Sequence, residues 1–171
     1  MAVEPVSRPL RPVLMGLPLI ELVRIAQDWV PRLGAHGGSG QPDRRWYVRL
    51  ERSDAYEVWL LGWNHVQATD FHDHGGSSGA VVVASGALVE RRPGTAGRRP
   101  SQRLLRRGDA VSFGPEAVHD VVNAGLGPSL SVHAYSPPLG SMTYYDVVDG
   151  AAVPREVVEV EGPEPGGRSV G

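Results

Sequence analysis

Two histidines one residue apart, His72 and His74, are the residues whose types and spacing most directly suggest chemistry. In extended backbone, side chains alternate between faces, so both imidazoles lie on one face and Asp73 between them points to the other. Two neighbouring imidazoles are costly to bury unless they share a proton network or bind a metal. The alternative is that they are surface residues of an acidic turn, which also contains Asp70.

The composition limits the kind of metal centre that such a pair can join. The 171 residues include six histidines and no cysteine, so disulfides and thiolate ligands are excluded. A metal must then be held by His, Asp or Glu, a donor set that suits iron, copper, nickel or zinc. The net charge of -2 gives no reason to expect nucleic acid or a membrane as a partner. The apolar runs are too short to cross a bilayer and no signal peptide is recognisable, so we expect a cytoplasmic protein.

The apolar pattern predicts the elements that must position these side chains. An apolar stripe at helical spacing predicts one helix, Pro18–Val30, which Pro31 ends. From Arg44 to Val160 the period changes to two, with turns rich in Gly and Pro, which is typical of an all-β sandwich or barrel. The strands predicted in this part cover residues 46–51, 58–61, 80–84, 87–92, 103–106, 110–113, 118–122, 130–135 and 143–148.

A single domain is expected over residues 13–160, including the helix. Residues 1–12 contain three prolines and no periodicity, and they are predicted to be a disordered lead-in. Residues 161–171 are polar and rich in Gly and Pro, and they are predicted to be a disordered tail.

The segment around the two histidines resembles the first motif of the cupins, which are small double-stranded β-helix barrels related in shape to jelly rolls. That motif has His-x-His, three or four residues, Glu, six residues and Gly. Here His72, His74 and Gly86 match it, and Gly79 stands in the place of the Glu. This replacement removes a charge, and we expect it to open space beside the metal.

A second segment resembles the other cupin motif, through Gly108, His119 and Asn123. Its usual Pro-x-Gly turn is replaced by residues 114–116, which read Gly-Pro-Glu. Together the two motifs imply that His72, His74 and His119 are the metal ligands, three neutral imidazoles with no carboxylate. Such a site needs an anion from its substrate, and a thiolate is suitable because a coordinated thiol is deprotonated.

Within the cupins, the chain resembles bacterial cysteine dioxygenases. The resemblance implies one Fe(II) per chain, L-cysteine and O2 as substrates, and cysteine sulfinate as product. The segments that carry it are Tyr47-Val48-Arg49-Leu50, His72-Asp73-His74, His119 with Asn123, and Ser131-Val132-His133-Ala134-Tyr135-Ser136-Pro137-Pro138.

Ser131, His133 and Tyr135 lie at alternate positions and therefore share one face of a strand. Alternation alone favours solvent for this polar face and the core for the apolar residues between. The resemblance implies the reverse, a hydrogen-bonded row inside the barrel whose Tyr135 hydroxyl meets the substrate. In the family, a tight Ser-Pro turn follows, often with a cis bond, here at Ser136-Pro137.

Arg49 and Tyr47 allow two interpretations of the same kind. Alternation puts both on a polar face that solvent could cover, whereas in the family the equivalent Arg enters the barrel and binds the substrate carboxylate through its forked guanidinium. Arg favours cysteine, because a branch of the family with Gln here prefers 3-mercaptopropionate. Vertebrate members cross-link a Cys to the active-site Tyr; Gly79 occupies that place, so Tyr135 is not cross-linked.

Two other functions remain open from the sequence. One is a dioxygenase of another small thiol, such as 3-mercaptopropionate or cysteamine. The other is a cupin that binds a small ligand or a metal without catalysis. In either case we expect a monomer or a weak dimer.

Overall fold

The computed structural model describes residues 16–34, 45–94, 99–163 and 168–169. These ranges contain one α-helix, α1 (Leu19–Trp29), followed by a 3-10 turn, Val30–Arg32. The strands are β1 (Trp46–Arg52), β2 (Glu57–Trp63), β3 (Gln67–Ala68), β4 (Phe71–His72), β5 (Ser78–Ser85), β6 (Ala87–Arg92), β7 (Ser101–Arg106), β8 (Ala110–Phe113), β9 (Asp120–Val122), β10 (Ser129–Ser136), β11 (Ser141–Val148), β12 (Ala151–Glu159) and β13 (Arg168–Ser169).

The strands pair antiparallel in three sheets. Two sheets have five strands, in the orders β1-β2-β10-β5-β8 and β13-β3-β9-β6-β7, and the third has the order β12-β11-β4. The inner core joins the two larger sheets, since Trp63 and Phe113 of one pack in a single cluster with Leu88 and Val121 of the other.

Helix α1 covers the outer face of the first sheet. Its fully buried Leu22 and Ala26 pack in one cluster with Val58, Val132 and Ala134 of β2 and β10. Strands β2 and β10 are therefore buried on both faces, which explains why β2 consists of a continuous apolar run.

The predicted all-β barrel with a short N-terminal helix is confirmed. Each predicted strand overlaps an observed one, and Ala87–Arg92 and Ala110–Phe113 coincide with β6 and β8. The prediction did not include the two-residue strands β3, β4 and β13. It also did not include β12, which is largely exposed and contains Pro154, a residue tolerated in edge strands. Within the described ranges, no helix is long and apolar enough to cross a membrane.

The two ends that were predicted to be disordered are described only in part. Residues 1–12 lie outside the described residues. Residues 160–163, here called the C-terminal strap, comprise the last residue of the predicted domain and the first three of the predicted tail: Gly162 and Pro163 are buried, and Val160 packs against the inner core. The strap lies so close to the Trp59 ring that a Cβ on Gly162 would be 2.6 Å from it, so only glycine fits there.

Candidate metal centre

His72 and His119 are held opposite each other by their own backbones. They form an isolated antiparallel bridge, in which each N–H donates to the carbonyl of the other, at 2.9 and 3.0 Å. Directly opposed residues of an antiparallel pair project to the same face, with their Cβ atoms close together. Two histidines that are 47 positions apart in the sequence are thus brought side by side by strand pairing.

His74 reaches the same place from the loop after β4. Asp73 points away from the histidines, as alternation predicts, and fastens this loop to β11: its carboxylate accepts from the Thr143 N–H at 3.1 Å and the Tyr145 hydroxyl at 2.7 Å. The turn continues through Gly75, whose φ of +57° lies in the left-handed region. A Cβ on Gly75 would also be 2.3 Å from the Ser141 carbonyl, so glycine is needed there.

The three imidazoles form a nearly regular triangle. Their ring centroids are 4.8, 5.1 and 5.1 Å apart, and their ligand nitrogens all lie within 4.8 Å of one another. All three rings are buried, His72 with 5%, His74 with 1% and His119 with 2% of its surface exposed.

Hydrogen bonds occupy one nitrogen of His72 and one of His119 and leave the other nitrogen of each ring for a metal. The Nδ1 of His72 donates to the Asp70 carbonyl at 2.8 Å, and the Nδ1 of His119 donates to the Glu90 carboxylate at 2.8 Å. Such partners are typical of metal-binding histidines, because they fix the tautomer and leave Nε2 for the metal.

His74 provides the test of whether this group fits a metal. Within the described part of the chain, neither of its ring nitrogens has a hydrogen-bond partner, although both are buried. A buried imidazole without partners is costly, and a metal bound at the centre of the triangle would provide a partner for one of the two nitrogens. The donor set therefore fits a metal ion.

His72 and His74 are also in the protonation state that metal binding requires. Burial, followed by the charges of His119 and Arg45, lowers the pKa of His72 to about 3. Burial, followed by the neighbouring histidines, also lowers the pKa of His74 well below its usual value. Both are neutral at pH 7 and offer a lone pair. At Glu90 burial acts to raise the pKa, but hydrogen bonds from His119 and Arg92 outweigh it, and the pKa is lowered.

Gly79 does not open space beside the triangle, contrary to our expectation. The ring of Phe113, its partner across the β5–β8 pair, fills that place, and a Cβ on Gly79 would be 2.4 Å from it. The Phe113 ring stacks on His74 with centroids 4.6 Å apart. The position that holds a carboxylate in the cupin motif is thus taken by an aromatic ring from another strand.

Ser131, His133 and Tyr135 form a hydrogen-bonded row inside the barrel. Ser131 Oγ lies 2.8 Å from His133 Nε2, and His133 Nδ1 lies 3.0 Å from the Tyr135 hydroxyl. The indole N–H of Trp63 donates to Ser131 at 2.8 Å, and burial lowers the pKa of His133 to about 3, so the ring is neutral. Alternation alone gave the wrong face, because α1 covers the apolar side of β10 and the polar side then faces inward. The Ser136–Pro137 bond is cis.

A small cavity, here called the histidine cavity, adjoins the triangle and the row. Its volume is about 20 Å³, roughly the space that one water needs. It contains a cation that the sequence analysis did not select: Arg45 is 7% exposed, and its guanidinium lies 4.9 Å from the centre of the Trp63 ring. The lining residues are Arg45, Leu61, Trp63, Thr69, His72, His119, Val121, His133, Tyr135, Met142 and Pro163.

Arg49 and Tyr47 do not line the histidine cavity. Both line a separate, larger and more open space of about 690 Å³, here called the outer cleft, and both are exposed. The guanidinium of Arg49 lies 5.2 Å from the centre of the Trp59 ring. Because side chains alternate, Arg45, Tyr47 and Arg49 share one face, and Arg45 is the innermost. The sequence signal that could have identified Arg45 was this same alternation, extended by one step.

Comparison with known proteins supports the fold and adds a family. The family model "Cysteine dioxygenase type I" matches residues 41–148, more than half of the chain. Among solved structures, the protein TT1209 from Thermus thermophilus is 24% identical, with a TM-score of 0.51 over 60% of this chain and 91% of that one.

Two further structures resemble this chain at lower identity. A Klebsiella pneumoniae protein with a double-stranded β-helix domain is 17% identical, with a TM-score of 0.51 over 71% of this chain and 92% of that one. An oxalate oxidase in complex with the substrate analogue glycolate is 16% identical, with a TM-score of 0.53 over 63% of this chain and 58% of that one. At these identities the likeness concerns the fold alone, which is the predicted double-stranded β-helix.

Proposed function

Because the chain belongs to the cysteine dioxygenase type I family, we propose that it is an iron-dependent thiol dioxygenase that converts L-cysteine to cysteine sulfinate. The reaction is R–SH + O2 → R–SO2H. Both oxygen atoms go to sulfur, which loses the four electrons that O2 gains, so no further reductant is needed. The observation that carries the proposal is the buried triangle of histidines, in which His74 has two partnerless nitrogens.

His72, His74 and His119 would hold one Fe(II) per chain. When bound, the iron would keep the substrate thiol as a thiolate and provide the redox chemistry for O2. Three neutral ligands leave the ion's charge uncompensated, so the centre favours a substrate that brings negative charge. The buried cation Arg45 strengthens this preference.

We propose that Arg45 binds the substrate carboxylate. It lines the same cavity as His72, His119 and Tyr135, and a guanidinium matches a carboxylate with two parallel hydrogen bonds. Arg49, to which the family resemblance gives this role, lines the outer cleft. There Arg49 and Tyr47 would meet the substrate on its way in.

Tyr135 would donate a hydrogen bond to the bound substrate. Trp63 can only donate, so Ser131 accepts from it and can donate its own O–H to His133 Nε2. In that arrangement His133 Nδ1–H donates to the Tyr135 oxygen, and the phenol proton can turn towards the substrate. Ser131 and His133 thus orient Tyr135, which is the residue of this row proposed to touch the reacting molecule.

The deciding experiment is oxygen uptake by iron-loaded protein with cysteine, 3-mercaptopropionate and cysteamine, with sulfinate measured as product. We expect cysteine to be the best substrate and cysteamine, which has no carboxylate, the poorest. Replacement of His74 by Ala should abolish both iron binding and uptake. His65→Ala is the matched control, since His65 is exposed and bonds the Gly125 carbonyl away from the triangle.

The same assay separates an enzyme from a cupin that only binds a ligand. A dioxygenase should lose about 10²-fold or more of kcat in Tyr135→Phe, as is usual when a proton donor is removed. Cysteine binding without oxygen consumption would overturn the proposal. Faster turnover of 3-mercaptopropionate would retain the chemistry and change the substrate.

A further inference from the structure

Glu90 stands directly behind one of the histidines of the triangle. It is 3% exposed, and its Oε1 accepts the His119 Nδ1–H at 2.8 Å. The same oxygen accepts from Arg92, through Nε at 3.2 Å and Nη2 at 2.8 Å. One carboxylate oxygen is therefore shared between a metal-facing imidazole and a guanidinium.

We propose that Glu90 and Arg92 act as an opposed pair that sets the metal affinity and the redox potential of the centre through His119. The inference rests on the proposed metal at the triangle and adds to it a positioning residue, Glu90, with a second residue that moderates it. Neither side chain lines the histidine cavity, so both would act only through His119.

The position of the carboxylate nearest to the triangle supports this role of Glu90. The cupin motif has a carboxylate at position 79, and in this chain that position is Gly79, with Phe113 packed against it. Among the described residues, the histidine triangle contains no carboxylate, and Glu90 supplies one a single hydrogen bond away. A carboxylate that accepts from the far nitrogen of a ligating imidazole makes that imidazole a stronger donor to the metal.

Arg92 weakens this effect, because it draws the same oxygen towards a positive charge. Its side chain is 37% exposed and lines an open groove on the far side of Glu90 from the triangle. Removal of Arg92 should therefore leave more of the Glu90 charge on His119. The two residues of one ion pair are expected to affect the metal in opposite directions, which a purely structural ion pair would not do.

The test is metal binding and reduction potential, measured without any thiol. Glu90→Gln keeps an acceptor for His119 but removes the charge, so Fe(II) affinity should fall about 10- to 100-fold, as for other outer partners of metal ligands. Fe(III) should lose more than Fe(II), which raises the potential by about 59 mV for each tenfold difference. Arg92→Gln should lower the potential. Glu90→Asp should recover part of the affinity.

Arg52→Gln is the matched control. Arg52 forms a similar pair with the buried Glu57, and the exposures of the two pairs are comparable, 46% and 0% against 37% and 4%. Arg52→Gln should leave the affinity and the potential unchanged.

Two results would overturn the inference: wild-type affinity in folded Glu90→Gln, or a potential that moves in the same direction in Glu90→Gln and Arg92→Gln. If Glu90→Gln does not fold, Glu90→Asp and Arg92→Gln decide the question. Failure of the protein to oxidise cysteine would contradict the proposed function without touching this result, because no thiol is used.

Discussion

The histidine cavity and the outer cleft lie next to each other, yet their charged side chains have opposite surroundings, buried in one and exposed to water in the other. The cavity is small and closed, and its cation Arg45 is buried among imidazoles and aromatic rings. The cleft is open and contains charges of both signs, among them Arg49 and Arg155 with Glu156 and Glu159. A charge in the closed region interacts through a low dielectric, whereas one in the open region is screened by water.

The charges of the two regions also differ in what they do to their neighbours. Arg155, at the cleft, is held in exposed ion pairs with Asp70 and Asp146, and water screens such pairs so that they contribute little to stability. Arg45 contributes to the lowered pKa of His72 and of His133. This difference supports the proposal that the chemistry takes place in the closed region and that the open one serves for access.

The largest expected difference between the two regions comes from removal of the cation in each region in turn. Arg45→Gln should lower kcat/KM for cysteine about 10- to 100-fold, since a buried hydrogen bond to a charged group is worth about 1.5–3 kcal/mol. Arg49→Gln should change it only a few-fold. Both variants are measured with cysteine and cysteamine, and Arg45→Gln should affect cysteamine little because that thiol has no carboxylate.

A larger loss in Arg49→Gln than in Arg45→Gln would reverse the comparison. It would mean that substrate is bound in the outer cleft, and that Arg49 binds the substrate carboxylate as the family resemblance implies. Equal losses with cysteine and cysteamine would mean that Arg45 is structural.

Features that depend only on neighbouring residues in the sequence could be predicted correctly. The face of His72 and His74 follows from alternation, and the helix end follows from Pro31. Features that depend on an element distant in the sequence were predicted wrongly. The row that ends at Tyr135 faces inward only because α1 covers the other side of its strand. Likewise, a glycine at position 79 indicates space, and only the pairing of β5 with β8 reveals that Phe113 fills it.

The second prediction concerns the pH dependence of stability, and it compares a buried imidazole, His133, with an exposed one, His65. His133 has a pKa of about 3 in the folded protein, against about 6.5 when unfolded. Between these values the unfolded chain binds a proton that the folded one does not, so stability is complete above about pH 6.5 and falls as the pH is lowered. Each such histidine contributes about 1.4 kcal/mol per pH unit in this window.

The measurement is the free energy of unfolding of metal-free protein in denaturant, at pH 6.5 and pH 5.5. His133→Gln should reduce the fall between the two by about 1 kcal/mol, less than the full slope because the histidine of the unfolded chain is only half-protonated at pH 6.5, whereas His65→Gln, at an exposed position, should leave it unchanged. The same fall in His133→Gln and in wild type would mean that His133 is protonated in the folded state.

The smallest expected effect concerns the boundary between the histidine cavity and the outer cleft. Pro163 of the C-terminal strap is the residue, within the described chain, that lines both spaces. A cavity of about 20 Å³ is too small for cysteine, so a substrate can enter only if part of the lining moves, and we expect Pro163 to be that part. Gly162→Val places a side chain against the Trp59 ring and should displace the strap, so that a chelator removes the iron a few-fold faster.

Gly127→Val is the control, because a Cβ there meets nothing within 4 Å. If the iron leaves both variants at the wild-type rate, the strap is not the barrier between cleft and cavity, and access must lie elsewhere along the barrel.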